Sequence, residues 1–178
     1  MKEKELFLEL SDTEWELKEI THDRLIVRAI VVDENESYYF VRAIRNDSFI
    51  NGAIIETAGG GVEKGEDLEQ AIKRELFEEL GATVDIICKI GVVSDYYNLI
   101  SRHNINNYYL CKAKSFGKTN MTDEEIQDFH LSTLKLTYDE AIAEYEKCSN
   151  TGLGRLIANR EMPILKRAKE LLDALKNA

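Results

Sequence analysis

Proline and cysteine are both scarce in this chain, and each scarcity excludes something. Pro163 is the only proline in 178 residues, so turns must rely on Gly, Asn and Asp. The three cysteines, Cys88, Cys111 and Cys148, are odd in number, far apart and form no CxxC pair. That spacing argues against a disulfide scaffold and against zinc, and leaves three reduced, small apolar residues. His22, His103 and His130 have no motif partners and are assigned no chemistry. No apolar run approaches the roughly 20 residues of a membrane helix. The segment MKEKELFLEL is too charged for the apolar core of a signal peptide. Basic charge is short as well: 23 Lys and Arg against 33 Asp and Glu leave a formal charge of −10. The expectation is a cytoplasmic protein with no membrane and no nucleic-acid partner, because so acidic a chain grips a phosphate backbone poorly. The same acidity looks adverse to a phosphate-bearing substrate.

What is present is a globular composition, 44% apolar and 31% charged, long enough to bury a core. One domain over residues 1–178 is the default. Residues 15–20 (WELKEI) and 24–33 read as strands, residues 33–36 as a turn, and SYYFVRAI as the next strand. Together they suggest a meander over 15–44. A polar loop at 45–52 leads to a short apolar strand, Ala53–Thr57, which runs into Gly59-Gly60-Gly61. Asp67 followed by Gln70 is a capping-box pattern, and Gly81 is a helix stop, so a helix is predicted over Leu68–Leu80. Strands are predicted at 84–94 and 107–113 with a polar loop between them. Further capping boxes occur at Thr122–Glu125 and Thr137–Glu140, the second opening a helix to Lys147. A final amphipathic helix is predicted over 161–175. Helices set among strands of a mixed sheet indicate an α/β sandwich.

The informative stretch is Gly60 to Ala82. On a 3.6-residue helix, Glu75, Glu78 and Glu79 fall within about 100° of one another. Leu68, Ile72, Leu76 and Leu80 form an adjoining apolar stripe. Clustered carboxylates at the margin of a packed face repel one another and call for a cation. Oxygen ligands suit Mg²⁺ or Mn²⁺. Arg74 can reach Glu78 one turn on, and also Glu66 in the preceding loop. The glycines at the strand end permit close backbone approach.

The spacing runs Gly60, five residues, Glu66, seven residues, Arg74-Glu75-Leu76, one residue, Glu78-Glu79, one residue, Gly81. This resembles the Nudix box, GX5EX7REUXEEXGU. At ordinary residue frequencies a chance match in such a chain is on the order of 10⁻⁷. The last aliphatic position holds Ala82, a departure in packing that leaves the acids untouched. The resemblance implies an α/β Nudix fold, with a mixed β-sheet sandwiched between α-helices. It implies a hydrolase that cleaves the diphosphate bridge of a nucleoside diphosphate derivative with Mg²⁺ or Mn²⁺. It assigns the metal to Gly59, Glu75, Glu78 and Glu79, catalysis to Glu78 and Glu79, and support to Gly60, Glu66 and Arg74. Bound divalent cations would reverse the local sign of the acidic chain.

Outside the box, Phe40–Arg45 and Glu56-Thr57-Ala58-Gly59 resemble the ADP-ribose pyrophosphatase subgroup, with Thr57 near a position where that subgroup has proline. By this match Arg45 contacts phosphate or ribose, and Glu56 holds part of the nucleotide. ADP-ribose or a related nucleoside diphosphate sugar is the implied substrate. An oxidised nucleoside triphosphate or dinucleotide is the alternative within the enzyme class, and a non-catalytic nucleotide-binding regulator is the alternative outside it. Family members draw a base or another ligand from a later acidic loop. The candidates are Asp123, Glu124 and Glu125, with Glu125 favoured and a helix-capping role equally open. Tyr96, Tyr97 and Arg102 suit stacking on a base, or ordinary strand-end packing. Relatives of the ADP-ribose type commonly dimerise through N-terminal strands. Residues 1–22 are therefore expected as an extension used in a homodimer, or as an edge strand of a monomer.

Overall fold

The computed structural model describes residues 4–150 and 152–178. Among the described residues, eight strands form one branched mixed sheet. They are β1 (Leu6–Leu10), β2 (His22–Val32), β3 (Tyr38–Asn46), β4 (Asn51–Glu56), β5 (Ala58–Gly61), β6 (Ala82–Tyr97), β7 (Arg102–Phe116) and β8 (Ser132–Leu136). The strand order is β1-β6-β7-β2-β3-β4, with β5 added to β2 and β8 to β3. The described residues also form four α-helices: α1 (Leu68–Leu80), α2 (Asp123–Gln127), α3 (Tyr138–Cys148) and α4 (Gly152–Lys176).

Strand β2 explains the layering. Its run LIVRAIVV is apolar almost throughout because both faces of the central sheet are covered. Val27, Ala29 and Val31 face α1, where they meet Ile72 and Leu76. Ile30 and Val32 face the other way, toward Leu165 and Tyr145 of α4 and α3. Leu76 is fully buried, and removing such a side chain from water contributes about 1.5–3 kcal/mol. Cys111 lies in the α1-side core, where burial pushes its thiol up to about 12. Among the described residues, no helix is long and apolar enough to cross a membrane.

Helix α1 and the start of α3 lie where their caps place them. Other expectations need correction. Residues 15–20 are not a strand. Asp12 Oδ1 accepts from the Glu14 and Trp15 amides and turns the chain there, and Leu17 is exposed. The N-terminal strand is β1, whose Leu6, Leu8 and Leu10 alternate inward. It pairs in parallel with β6 of its own chain, and residues 1–3 lie outside the described residues. The expected meander is also absent. β2 pairs with β3 only at Val31–Tyr39 and Val32–Tyr38, and its main partner is β7, in parallel. The 45–52 loop shrinks because β3 and β4 extend into it. β6 and β7 meet in a tight 3₁₀ turn at Asn98–Ile100, so Tyr96, Tyr97 and Arg102 end strands instead of lining a loop. Helix α4 begins nine residues before the predicted start and carries Pro163 inside it. Proline has no N–H for the carbonyl four residues earlier and costs about 3 kcal/mol in a helix interior. Leu156, Ile157, Ile164 and Leu165, all buried, hold the helix across that defect.

Candidate active site

Helix α1 aims its acids by being capped at both ends. Asp67 accepts from the Gln70 amide at 2.8 Å, and the Gln70 side chain accepts from the Asp67 amide at 3.0 Å. Gly81 ends the helix at φ 65°, a left-handed conformation that glycine adopts without steric cost. Within this frame Glu75 and Glu79 share the face of Ile72, Leu76 and Leu80 and are themselves buried, whereas Glu78 sits at its margin. Buried carboxylates need partners. Glu79 Oε2 accepts the Gly59 amide of β5 at 2.9 Å. The Glu75 carboxylate lies against Gly60, so close that a Cβ on Gly60 would stand 2.6 Å from it.

Arg74 supports the cluster from behind. Its Nε and Nη2 donate to the two oxygens of Glu66 at 2.7 and 2.9 Å. Nη1 donates to Glu75 at 2.7 Å and to Glu78 at 3.2 Å, and Nη2 also reaches the Gly61 carbonyl at 3.0 Å. The guanidinium holds Glu66 below the usual carboxylate range. Burial lifts Glu75 despite Arg74 beside it. Burial lifts Glu79 further, to about 8, opposed by the Gly59 amide and reinforced by Glu75.

A cleft opens beside these acids, lined by Arg28, Arg45, Glu56, Gly59, Glu79 and Glu125 among others. Glu125 has both features weighed for it. Its carboxylate caps α2 by accepting the Thr122 amide at 2.6 Å, and it also faces the cleft that holds Glu79. Arg45 pairs with Asp47 at 2.7 Å and lies 4.6 Å from the Phe129 ring centroid. Glu56 Oε1 is shared by Arg28 at 2.7 Å and Arg160 at 3.0 Å, with part of the side chain still exposed. Burial would raise Glu56, but the two guanidiniums bring it below the usual range. Tyr96 stacks on His103, 4.7 Å between centroids, and lines a separate cavity with Leu10 and Leu156. Strand alternation sends Tyr97 the opposite way, to Arg160 at 2.8 Å. Arg102 lies over the Tyr97 ring at 5.3 Å. His103 bridges Asp23 at 2.9 Å and Ser94 at 2.6 Å. That trio copies a nucleophile–base–acid order, but Ser94 sits mid-strand between β1 and β7 with its backbone committed to the sheet, so nothing there stabilises an oxyanion.

The residues that sequence reasoning missed are Arg28, Arg160 and Glu161. All three are traceable afterwards. Arg28 is the one charge inside the apolar run LIVRAIVV of β2. Arg160 and Glu161 fall on the same helical face as Leu156, Ile157, Ile164 and Leu165 once α4 is extended upstream. Both are fully buried, and Arg160 meets Tyr108, Asp95, Tyr97 and Glu56.

The arrangement of a glycine-rich strand over a Glu-bearing helix bears directly on the chain's relationships. The NUDIX domain model matches residues 22–148. This chain belongs to the Nudix family. A NUDIX hydrolase from Nitrosomonas europaea shares its fold at TM-score 0.64 and 17% identity, over 84% of this chain and 90% of that one. The E. coli ORF135 protein gives 0.57 and 20%, over 85% and 92%. A MutT protein from Methanosarcina mazei gives 0.54 and 17%, over 87% and 97%. A curated relative, an oxidized purine nucleoside triphosphate hydrolase from Danio rerio, is 37% identical over 67 residues, which is 37% of this chain and 42% of the relative. The chain thus spans about two-fifths of the length of that relative.

The Nudix-box donors are oxygens only, which suits a hard divalent cation. Glu79 supplies the structural test: it is a buried carboxyl with one amide donor, raised to about 8, and a dication beside it would favour the charged form. Among the described residues, no three acidic, His or Cys side chains already converge on one point. Arg74 holds Glu75 and Glu78, and the Gly59 amide holds Glu79.

Proposed function

We propose that this protein is a divalent-metal-dependent pyrophosphohydrolase that cleaves the diphosphate bridge of a nucleoside diphosphate derivative. The observation that carries the reading is the buried Glu79 carboxylate on the Gly59 amide, with Glu75 beside it over Gly60, at the wall of the cleft. Glu75, Glu78, Glu79 and the Gly59 carbonyl would hold Mg²⁺ or Mn²⁺. Bound there, the ion neutralises diphosphate charge and makes water a better nucleophile. Arg74, anchored on Glu66, keeps the glutamates in place, and Gly60 leaves room for Glu75. Arg45 offers its guanidinium to a phosphate or ribose. Glu125, which lines the cleft together with Glu79, would accept the proton of the attacking water or add a ligand, with Glu78 and Glu79 the other candidates.

ADP-ribose or a related nucleoside diphosphate sugar is the substrate suggested by Arg45 and Glu56. Glu56 would act through its exposed part, since Arg28 and Arg160 hold Oε1. A second reading, an oxidised purine nucleoside triphosphate, is favoured by the likeness to the zebrafish enzyme. Tyr96 and Arg102 are weaker candidates for a base contact, because Tyr96 lies outside the cleft.

The test is a panel of ADP-ribose, other nucleoside diphosphate sugars, dinucleotides and oxidised purine triphosphates, with Mg²⁺ or Mn²⁺ and products identified by mass. AMP with ribose 5-phosphate supports the first reading. Nucleoside monophosphate with pyrophosphate supports the second. No turnover of any member sinks the enzymatic reading and leaves a binding regulator.

A further inference from the structure

Thr57 is the single residue between β4 and β5, where the chain stops pairing with β3 and starts pairing with β2. A strand switch in an enclosed position leaves backbone polar groups that the sheet does not satisfy. Here each is taken by an ionisable side chain. The Thr57 amide donates to Glu161 Oε2 at 2.8 Å, and its hydroxyl donates to Glu161 Oε1 at 2.6 Å. Its carbonyl accepts from Arg28 Nη1 at 3.2 Å. Thr57 and Glu161 are both buried. The same carboxylate also accepts from the Tyr145 hydroxyl at 2.6 Å and the Tyr108 hydroxyl at 3.1 Å. Two residues past Thr57, the Gly59 amide meets Glu79.

We infer that Glu161, through its two hydrogen bonds to Thr57, is the positioning residue that sets the backbone of Gly59 against Glu79. This rests on the hydrolase reading only for its effect on turnover. The chemistry explains a local feature of the sequence. Proline near this point, as in the ADP-ribose pyrophosphatase pattern, would fix φ but could offer neither an amide nor a hydroxyl. Threonine offers both, and a helix that arrives much later in the chain supplies the acceptor. A Glu–amide–hydroxyl fork is a charge-assisted pair, stronger and more directional than neutral bonds. The buried carboxylate makes little sense as a stabiliser alone, because apolar packing in its place is often as stable.

The experiment compares Thr57→Val with Thr57→Ser and Tyr145→Phe. Val keeps the shape and the amide but loses the hydroxyl. Phe removes a different hydrogen bond from the same carboxylate and leaves both of its bonds to Thr57 in place. Thr57→Val is expected to lower kcat about 10- to 100-fold with little change in KM, as small misplacements of reacting groups do. Thr57→Ser should restore kcat to within about two-fold, and Tyr145→Phe should hold it within about three-fold even where its melting temperature falls as far. In metal-free protein, amide hydrogen exchange at Gly59 should quicken about ten-fold in Thr57→Val and stay unchanged in Tyr145→Phe. Equal effects of the Val and Phe variants, or an unmoved Gly59 amide, overturn the inference. Wild-type protein gives a measure needing no variant: Thr57 and Gly59 amides should exchange through one shared opening, at rates within about three-fold once intrinsic rates are removed. A Gly59 amide that exchanges far faster than Thr57 also overturns it. Wild-type protein without metal-dependent turnover defeats the hydrolase reading and leaves the exchange result standing.

Discussion

Arg74 and Glu66 face each other fork to fork, with parallel hydrogen bonds of 2.7 and 2.9 Å across the loop that precedes α1. Lysine carries the same charge but cannot make both bonds and also reach Glu75, Glu78 and Gly61. Arg74→Lys is therefore expected to lower stability by about 1–3 kcal/mol in urea unfolding, the range for losing hydrogen bonds to charged groups. Turnover should fall further than stability accounts for, because the glutamates lose their common anchor. Wild-type turnover in Arg74→Lys would show that the fork is dispensable.

Glu79 sets the expected pH behaviour. Its carboxyl ordinarily titrates at 4.5, and burial in the fold raises it to about 8. The folded state thus keeps a proton that the unfolded state has lost. Stability of metal-free protein should decline as pH climbs from about 4.5 to about 8, by at most about 1.4 kcal/mol per unit for this one group. Mg²⁺ should release that proton, so its stabilising effect should grow across the same window. Glu79→Gln removes its share of both trends. It should keep the fold, lose most metal-dependent turnover and show a shallower metal-free decline, the remaining slope coming from the other shifted carboxyls such as Glu75. The assignment of Glu79 to the metal fails if the variant retains full activity in a nucleoside monophosphate release assay.

Arg45 separates substrate contact from structure. It stands beside Asp47 and the rings of Phe49 and Phe129, at the wall of the cleft, with about a fifth of its side chain exposed. Arg45→Ala should raise KM for ADP-ribose about ten-fold, the effect of one lost phosphate contact, while kcat stays within about three-fold. Equal KM values for wild type and variant would remove Arg45 from the substrate site.

The part of the site that was legible in the sequence is the part whose geometry is local. Helix α1 follows from Asp67, Gln70, its apolar stripe and Gly81, and the same 3.6-residue period places Glu75, Glu78 and Glu79 together without any tertiary knowledge. Arg74 and Glu66 are neighbours for the same reason. What stayed hidden is non-local. Strand pairing of β2 with β7 links residues 80 apart, and no turn signal announces it. The Arg160–Glu161 pair meets Thr57, Glu56 and Asp95 only through the fold. The predicted start at 161 left Arg160 outside the final helix, which begins at Gly152 and carries Pro163 inside it. The WELKEI stretch misled in the opposite direction: it has strand-like residues, but the chain there is turned by Asp12 and Leu17 is exposed.

Gly59 and Gly60 are adjacent but should fail differently. At Gly59, φ is 153° and a Cβ would stand 2.1 Å from the Val27 carbonyl oxygen and 2.7 Å from the Arg28 Cα, both backbone atoms of the paired strand. Neither can yield without opening the β2–β5 pairing, so Gly59→Ala should cost more than about 3 kcal/mol or leave no folded protein. At Gly60 the obstacle is the Glu75 carboxylate, the far end of a flexible side chain. Gly60→Ala should fold with a loss below about 1.5 kcal/mol, because a rotamer change relieves the contact. Glu75 would then leave its place over β5, so metal-supported turnover should drop about ten-fold or more while the fold persists. Thermal unfolding and turnover measured on the two variants separate the roles. An active Gly60→Ala enzyme would mean that Glu75 reaches its ligand position by another path, and a stable Gly59→Ala protein would mean that the β2–β5 pairing is looser than its register implies.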